Sequence, residues 1–362
     1  MFDRTVEIDR GYQESIDEGL DDAYENCKNN KINLDIAKDK IIIFSDQHRG
    51  VRDGADDFVR CEKAYNAALG YYLEAGYTLI ILGDAEELWE CRPEPVVRAY
   101  KDTLSLEAVF LKQNRYYRIY GNHDDYWEKK EIFEKYLKKE RIIPQLMSVP
   151  VLRGIILVYN PTEKIFLVHG YQGTFDSDKL RPISKFFVRY IWRNIQRRLG
   201  IKLTTPAKDV SLKSKHDLAM YSWAINKCKN NEKLILIAGH THLPVFASIN
   251  YIGKLEDELK RLHDDLRLLE AQGSADVSNL LTRVAEKRAK LEFVKAKGEG
   301  KGFEMEKPCY FNTGCCSYSD GDVTGIEISN GKISLVRWPD DQGNPMAKIL
   351  EYGNLDDIFQ SI

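Results

Sequence analysis

From about residue 40 the chain repeats one unit, a short β-branched run that stops at a polar turn and is followed by an amphipathic stretch. DKIIIFSD reads as a buried strand ending in acidic and polar residues. A helical stretch over about 58–75 leads to a second strand, YTLIILGD, and another leads to a third, RYYRIYGNHD. Strands with helices between them imply a sheet whose faces are covered by helices. After Pro144 the period changes. VPVLRGIILVYN and EKIFLVHG read as strands joined by short turns, LILIAGHTH is another, and PVFASINY runs on from it. CYFNTG, VTGIEIS and KISLVRW complete the set, with Asn330-Gly331 as a hairpin turn. The expectation is two packed sheets with helices outside, an α/β sandwich.

Two insertions interrupt this scheme. The first, 174–230, is helical and opens with a basic amphipathic stretch: eight basic and no acidic residues lie between Lys179 and Lys202. Arg181, Lys185, Arg189, Arg193 and Arg197 form one stripe, and Ile183, Phe187, Ile191, Ile195 and Leu199 lie roughly opposite. The second, 254–298, carries Leu255, Leu259, Leu262, Leu266 and Leu269, then QGSAD, then Leu280, Val284, Leu291 and Val294. Apolar a and d positions on both sides of a polar turn predict an antiparallel helical hairpin, projecting as an arm. Residues 1–35 read as a helical N-terminal extension, 36–252 with 305–340 as the core, and 341–362 as a C-terminal tail.

Composition narrows the partners. The 53 basic and 56 acidic residues of this 362-residue chain balance to −3, so nothing global points to nucleic acid or membrane. The acidic start lacks an apolar stretch and does not read as a secretory signal. Seven cysteines without a CxxC pair suggest reduced thiols in a cytoplasmic protein. Cys309, Cys315 and Cys316 read as small packing residues, and His216 and His263 as structural.

The chemistry lies where the strands stop. Asp46-Gln47-His48, Gly83-Asp84, Gly121-Asn122-His123-Asp124, His169-Gly170 and Gly239-His240-Thr241-His242 occur in that order. Five of the seven histidines fall inside these motifs, a concentration that core packing does not explain. Imidazole nitrogens with carboxylate or amide oxygens suit Mn, Fe, Zn or Co, and the absence of sulfur argues against copper(I) or an iron–sulfur cluster. Two such ions about 3.5–4 Å apart can share a carboxylate oxygen and a hydroxide that attacks phosphorus. The glycines before Asp84, Asn122 and His240 fit tight turns that let backbone approach a phosphate.

This motif set resembles the calcineurin-like metallophosphoesterase superfamily, whose pattern is DxH, GD, GNH[DE], H and GHxH. The resemblance covers roughly 40–250 plus the strands at about 308–337. It implies a four-layer α/β/β/α sandwich of two mixed sheets, here with a helical lid insertion and the hairpin arm. It further implies that Asp46, His48 and His242 hold one divalent metal, that Asn122, His169 and His240 hold a second, and that Asp84 bridges them. Mn is favoured over Fe or Zn. His123 would assist the leaving group, with Asp124 orienting its ring.

GDAEELWE also looks like the GD-x-x-[DE]-x-W stretch of the UDP-2,3-diacylglucosamine pyrophosphatases, which carry a helical lid after the His-Gly motif and commonly have Arg where this chain has His123. The substrate expectation is a phosphodiester or pyrophosphate, on a small molecule or a lipid-linked one. A nuclease or a phosphomonoesterase would use the same site. Arg49, Arg181, Lys185 and Arg189 are candidate substrate contacts. The basic helix is a candidate for peripheral membrane contact or, less favoured, nucleic acid, and the arm for a homodimer. A scaffold that kept the fold without catalysis would be expected to have lost ligands, and here every ligand type is present.

Overall fold

A computed structural model describes residues 8–129, 150–174, 210–229, 232–246, 251–271, 277–297, 307–339 and 344–362. Two mixed sheets carry the chain. The seven-stranded sheet runs β13 (Lys348–Asn354), β12 (Lys332–Trp338), β11 (Val323–Ser329), β2 (Ile41–Phe44), β3 (Thr78–Leu82), β4 (Tyr116–Ile119) and β5 (Val151–Leu152). The six-stranded sheet runs β1 (Lys31–Asn33), β6 (Gly154–Val158), β7 (Glu163–Val168), β8 (Lys233–Ala238), β10 (Tyr310–Thr313) and β9 (Pro244–Val245).

Strand periodicity sorts the apolar side chains into three layers of core. In β2, Ile41 and Ile43 face the space between the sheets, while Ile42 and Phe44 face outward. In β8, Ile235 and Ile237 point inward, and Leu234, Leu236 and Ala238 outward. Successive strand side chains alternate faces, so a run that is apolar throughout needs cover on both sides. Helices supply it. On the seven-stranded sheet lie α2 (Phe58–Glu74), α3 (Pro93–Ala99) and α4 (Lys101–Lys112), through Tyr65, Leu69, Tyr72, Val96, Leu104 and Phe110. On the six-stranded sheet lie α1 (Arg10–Asn26) and α5 (Val210–Lys229), through Ile16, Leu20, Tyr24, Met220 and Trp223. Each buried Ile or Leu contributes roughly 1.5–3 kcal/mol, enough in sum to hold four layers together. The α/β/β/α sandwich expected from sequence is present.

Several boundaries differ from the expectation. Residues 31–33 are not an extension but the edge strand β1, paired in parallel with β6. The described residues of the expected tail 341–362 are not a tail: β13 pairs antiparallel with β12, and α8 (Leu355–Ser361) places Ile358 and Phe359 in the core between the sheets. Among the described residues of PVFASINY, Pro244–Val245 is strand and Tyr251 already begins a helix. The lid range 174–230 divides. Its basic stripe lies outside the described residues, whereas α5 is an ordinary layer helix packed on the sheet. The arm consists of α6 (Tyr251–Ala271) and α7 (Val277–Lys297), which meet through Leu259, Leu262, Leu280 and Val284, so those seam residues are consumed within the hairpin. The side chains of Leu255 and Val294 lie outside the described residues. At Asn330-Gly331 both φ angles are positive, +50° and +72°, as a two-residue turn matched to strand twist requires. No described helix is long and apolar enough to cross a membrane.

β2, β3 and β4 run parallel, as do β7, β8 and β10. Their carboxyl ends deliver the motif turns to one crevice between the sheets, the place where open α/β sheets bind ligands.

Candidate metal centre

Every motif residue here lies within three residues of a strand end: Asp46 after β2, Asp84 after β3, Asn122 after β4, His169 after β7 and His240 after β8. The turns are strained. Asp46, His48, Asp84, His240 and His242 all have positive φ, between +48° and +67°. Outside glycine the left-handed region costs roughly 1–3 kcal/mol per residue, and it persists where surrounding contacts impose it. Here those contacts converge on one cluster.

Asp46 Oδ1 lies 3.1 Å from His242 Nε2, 3.7 Å from His48 Nε2 and 3.9 Å from His169 Nε2. Asp84 Oδ2 lies 3.1 Å from His169 Nε2 and 3.7 Å from His48 Nε2. Ligand-type atoms of Asp46, His48 and His242 gather in one group, and those of Asp84, His169 and His240 in a second. His123 joins His48 and Asp84 in a third, overlapping group.

In four of the candidate ligands the second side-chain atom is pinned by protein. Asp46 Oδ2 accepts from the His240 backbone N–H (3.0 Å) and from the Ser45 hydroxyl. Asp84 Oδ1 accepts from the His123 N–H (2.8 Å). His169 Nδ1–H donates to the Leu82 carbonyl (2.8 Å), and His48 Nδ1–H donates to Glu87 Oε2 (3.1 Å). Those bonds fix each ring's tautomer and leave Nε2 as the coordinating nitrogen, the arrangement found around metal-bound histidines.

The atoms left over test whether a metal fits. Asp46 Oδ1, Asn122 Oδ1 and His169 Nε2 are buried without a hydrogen-bond partner. A buried polar group without a partner costs about 1–3 kcal/mol, and three of them aimed into one cluster fit divalent cations. Charge agrees. Burial pushes the Asp46 carboxyl up, but His242 and His169 pull it well below its ordinary range. For Asp84, burial is likewise outweighed by His169 and His123. Burial dominates at His242, lowered to about 4, and His240 is lowered well below the ordinary value, so both are neutral as a ligand must be. At His169 burial acts downward, yet Asp84 and Asp46 raise it to about 9. A divalent cation would take the place of that proton.

The glycines act differently from the expectation. A Cβ on Gly121 would lie 2.1 Å from Asp84 Oδ1 and 2.6 Å from His169 Cδ2, and one on Gly239 would lie 2.5 Å from Asp46 Oδ2. They make room for ligands from neighbouring turns rather than for a substrate phosphate.

Two further expectations are corrected. Asp124 does not orient His123. Its carboxylate accepts from the N–H groups of Gly121 (2.7 Å), Ala85 (2.9 Å) and Asp84 (3.2 Å), so it shapes the turns themselves. Burial raises Asp124 to about 6, against the pull of Arg118. His123 is instead held by Glu87, whose Oε2 accepts from His123 Nδ1–H at 2.7 Å, and by Trp89, stacked on the ring at 4.4 Å and 13°. The signal for both was present in the sequence as the acid and Trp of GDAEELWE. Arg49 does not face substrate. It is fully buried, with its guanidinium 2.6 Å from Glu107 and 2.8 Å from Glu86. Arg181, Lys185 and Arg189 lie outside the described residues. His263 sits on the arm, bonded to its own helix at Leu259. Cys309, Cys315 and Cys316 are buried as expected.

The side chains of His48, His123 and His242 are 15%, 25% and 24% exposed, whereas Asp46 and His169 are sealed. The cluster therefore opens on the His123 side.

Known proteins bear on this geometry. A search of curated proteins finds no match. Among solved structures, vacuolar protein sorting 29 from Cryptosporidium parvum is similar at 11% identity and a TM-score of 0.35, over 87% of this chain and 98% of that one. A likeness at that score carries no argument. The model of the calcineurin-like phosphoesterase family matches residues 39–244, the stretch that supplies every residue of the cluster. With ligand types, order and convergence all in agreement over more than half its length, the chain belongs to the calcineurin-like phosphoesterase family.

Proposed function

We propose that this protein is a binuclear phosphoester hydrolase acting on a phosphodiester or pyrophosphate bond. The observation that carries the reading is the trio of partnerless buried atoms, Asp46 Oδ1, Asn122 Oδ1 and His169 Nε2, aimed into one cluster. Asp46, His48 and His242 would hold one divalent cation and Asn122, His169 and His240 the other, with Asp84 shared. Bound cations supply Lewis acidity, which neutralises phosphoryl oxygens and acidifies water enough to attack at neutral pH.

The protein's own groups do the rest. Glu87 accepts from both His48 and His123, so one carboxylate fixes a ligand ring and the ring beside it. With Nδ1 committed to Glu87, His123 keeps Nε2 for proton exchange with a leaving oxygen. Burial lowers the His123 pKa, but Glu87 and Asp84 outweigh it and raise the ring above its ordinary value, which favours the protonated acid. Trp89 covers one ring face and limits its rotation.

The test is hydrolysis of paired mono- and diester chromogenic substrates by metal-stripped protein, restored with Mn²⁺, Zn²⁺ or Fe²⁺. Turnover restored by metal, with the diester preferred, supports the reading. A monoester preference would change the substrate class, and no turnover with no bound metal would leave only a scaffold.

A further inference from the structure

The N-terminal helix reaches the metal centre through a pair of side chains outside every motif. Tyr12 of α1 and His216 of α5 stand 2.7 Å apart, hydroxyl to Nδ1, and His216 Nε2 lies 2.6 Å from the carbonyl of Gly170, the residue after His169. The proton positions follow from chemistry. A carbonyl only accepts, so Nε2 carries hydrogen and donates. In the neutral ring Nδ1 then accepts, and the Tyr12 hydroxyl donates to it. His216 is 5% exposed, and its ring meets that of His240 edge-on with centroids 5.3 Å apart. One side chain therefore touches both protein segments that supply His169 and His240.

The same helix clamps the His169 segment a second time. Ser15 Oγ donates to the Gly173 carbonyl at 2.7 Å, and a Cβ on Gly173 would lie 2.1 Å from the Ser15 carbonyl oxygen. Next to His216, the Asp217 carboxylate accepts from the Thr241 hydroxyl at 3.1 Å, between His240 and His242. α5 thus holds the His240 turn from behind while α1 holds the His169 turn.

We propose that Tyr12 and His216 are positioning residues for the Asp84–His169–His240 half of the centre, so that metal affinity there depends on the N-terminal helix. The inference rests on the metal-centre reading above. A histidine that merely filled the core would affect stability and leave metal affinity alone. A group that fixes the His169–Gly170 turn and the His240 ring affects metal affinity in one half of the centre. Partners of this kind typically change affinity by about 10–100-fold.

The experiment is titration of full-length, metal-free protein with Co²⁺, following the visible absorption of the bound ion in competition with a chelator. Tyr12→Phe, His216→Leu and His216→Gln are compared with the wild type, each alongside a thermal melt. His216→Leu is expected to weaken one of two binding steps by about 10–100-fold and spare the other, with a smaller loss in Tyr12→Phe. His216→Gln keeps an N–H donor for Gly170 and should recover most of the affinity. Unchanged affinity in folded variants, or equal weakening of both steps, would overturn the inference. If His216→Leu does not fold, Tyr12→Phe decides on the same criteria. Wild-type protein that binds no Co²⁺ would overturn the metal reading itself and this inference with it.

Discussion

Two buried ionisable clusters sit back to back at the ends of β2, β3 and β4, and they are built from the same turns. His48, Asp84 and Asn122 face the crevice, while their near neighbours Arg49, Glu86 and Asp124 face the core behind it. The rear cluster supplies its own counter-charges. Arg49 pairs with Glu86 and Glu107, Arg118 with Glu86 and Asp124, and Glu107 also accepts from Tyr116 (2.8 Å) and Tyr65 (3.3 Å). In the front cluster Asp46 and Asp84 meet histidine nitrogens rather than a paired arginine, and Asp46 Oδ1, Asn122 Oδ1 and His169 Nε2 have no hydrogen-bond partner. Burial alone therefore does not mark a site. A buried cluster of carboxylate, amide and imidazole ligand atoms does.

The largest expected effect separates the clusters by function. Asp84→Asn should reduce turnover by ~10³-fold or more, several kcal/mol of transition-state charge stabilisation, while the fold survives. Steady-state rates measured with metal content and a melt would check it, and activity within tenfold of wild type would break the comparison. Glu107→Gln should do the reverse. It leaves Arg49 short of a counter-charge, at a cost of about 3–5 kcal/mol in urea unfolding, with metal affinity of the folded protein unchanged. Acid addresses the same cluster. Burial pushes Glu86 up, but Arg118 and Arg49 hold its carboxyl below 4.5, so its stabilisation is complete above that pH and is lost as pH falls through the lower native value. An unfolding series between neutral and acid pH should show that slope, flattened in Glu86→Gln.

Chelation is the intermediate case. Removing metal from protein held at a hundred times its Kd should lower stability by ~2.7 kcal/mol for each site emptied, and Glu107→Gln should add to this loss rather than overlap it. Strong non-additivity would mean that the clusters form one unit. The smallest effect is at their boundary. Glu87→Gln should lower kcat by about 10–100-fold because it loosens His123, and should weaken the metal at His48 by up to about 10–100-fold because the same carboxylate holds that ring. Unchanged kcat and unchanged metal affinity would remove Glu87 from both roles.

The contrast also explains what the sequence made legible. Ligands could be read because coordination restricts residue type, and because β-branched runs such as IIIF and LIIL show where strands stop. Arg49 misled because the left-handed turn at His48 is not visible in sequence, and proximity to His48 put it on the wrong side. Glu87 holds the His123 ring where Asp124 was expected to, for a related reason. Each lies a few residues past a ligand, and only the conformation of the turn decides which carboxylate reaches the His123 ring. β13 was missed because KILEYGN buries Leu350 while Ile349 and Tyr352 stay exposed, too weak an alternation to mark a strand. The contribution of Tyr12 was invisible for a different reason: 204 residues separate it from its partner His216.

The left-handed ligands have an evolutionary corollary. At Asp46, His48, Asp84, His240 and His242 glycine would relieve backbone strain, so selection for stability alone would drift these positions toward it and erase the centre. Asp and His at all five therefore carry a backbone cost that bound metal would offset. The same five positions name the first substitutions to look for in a relative that has abandoned catalysis.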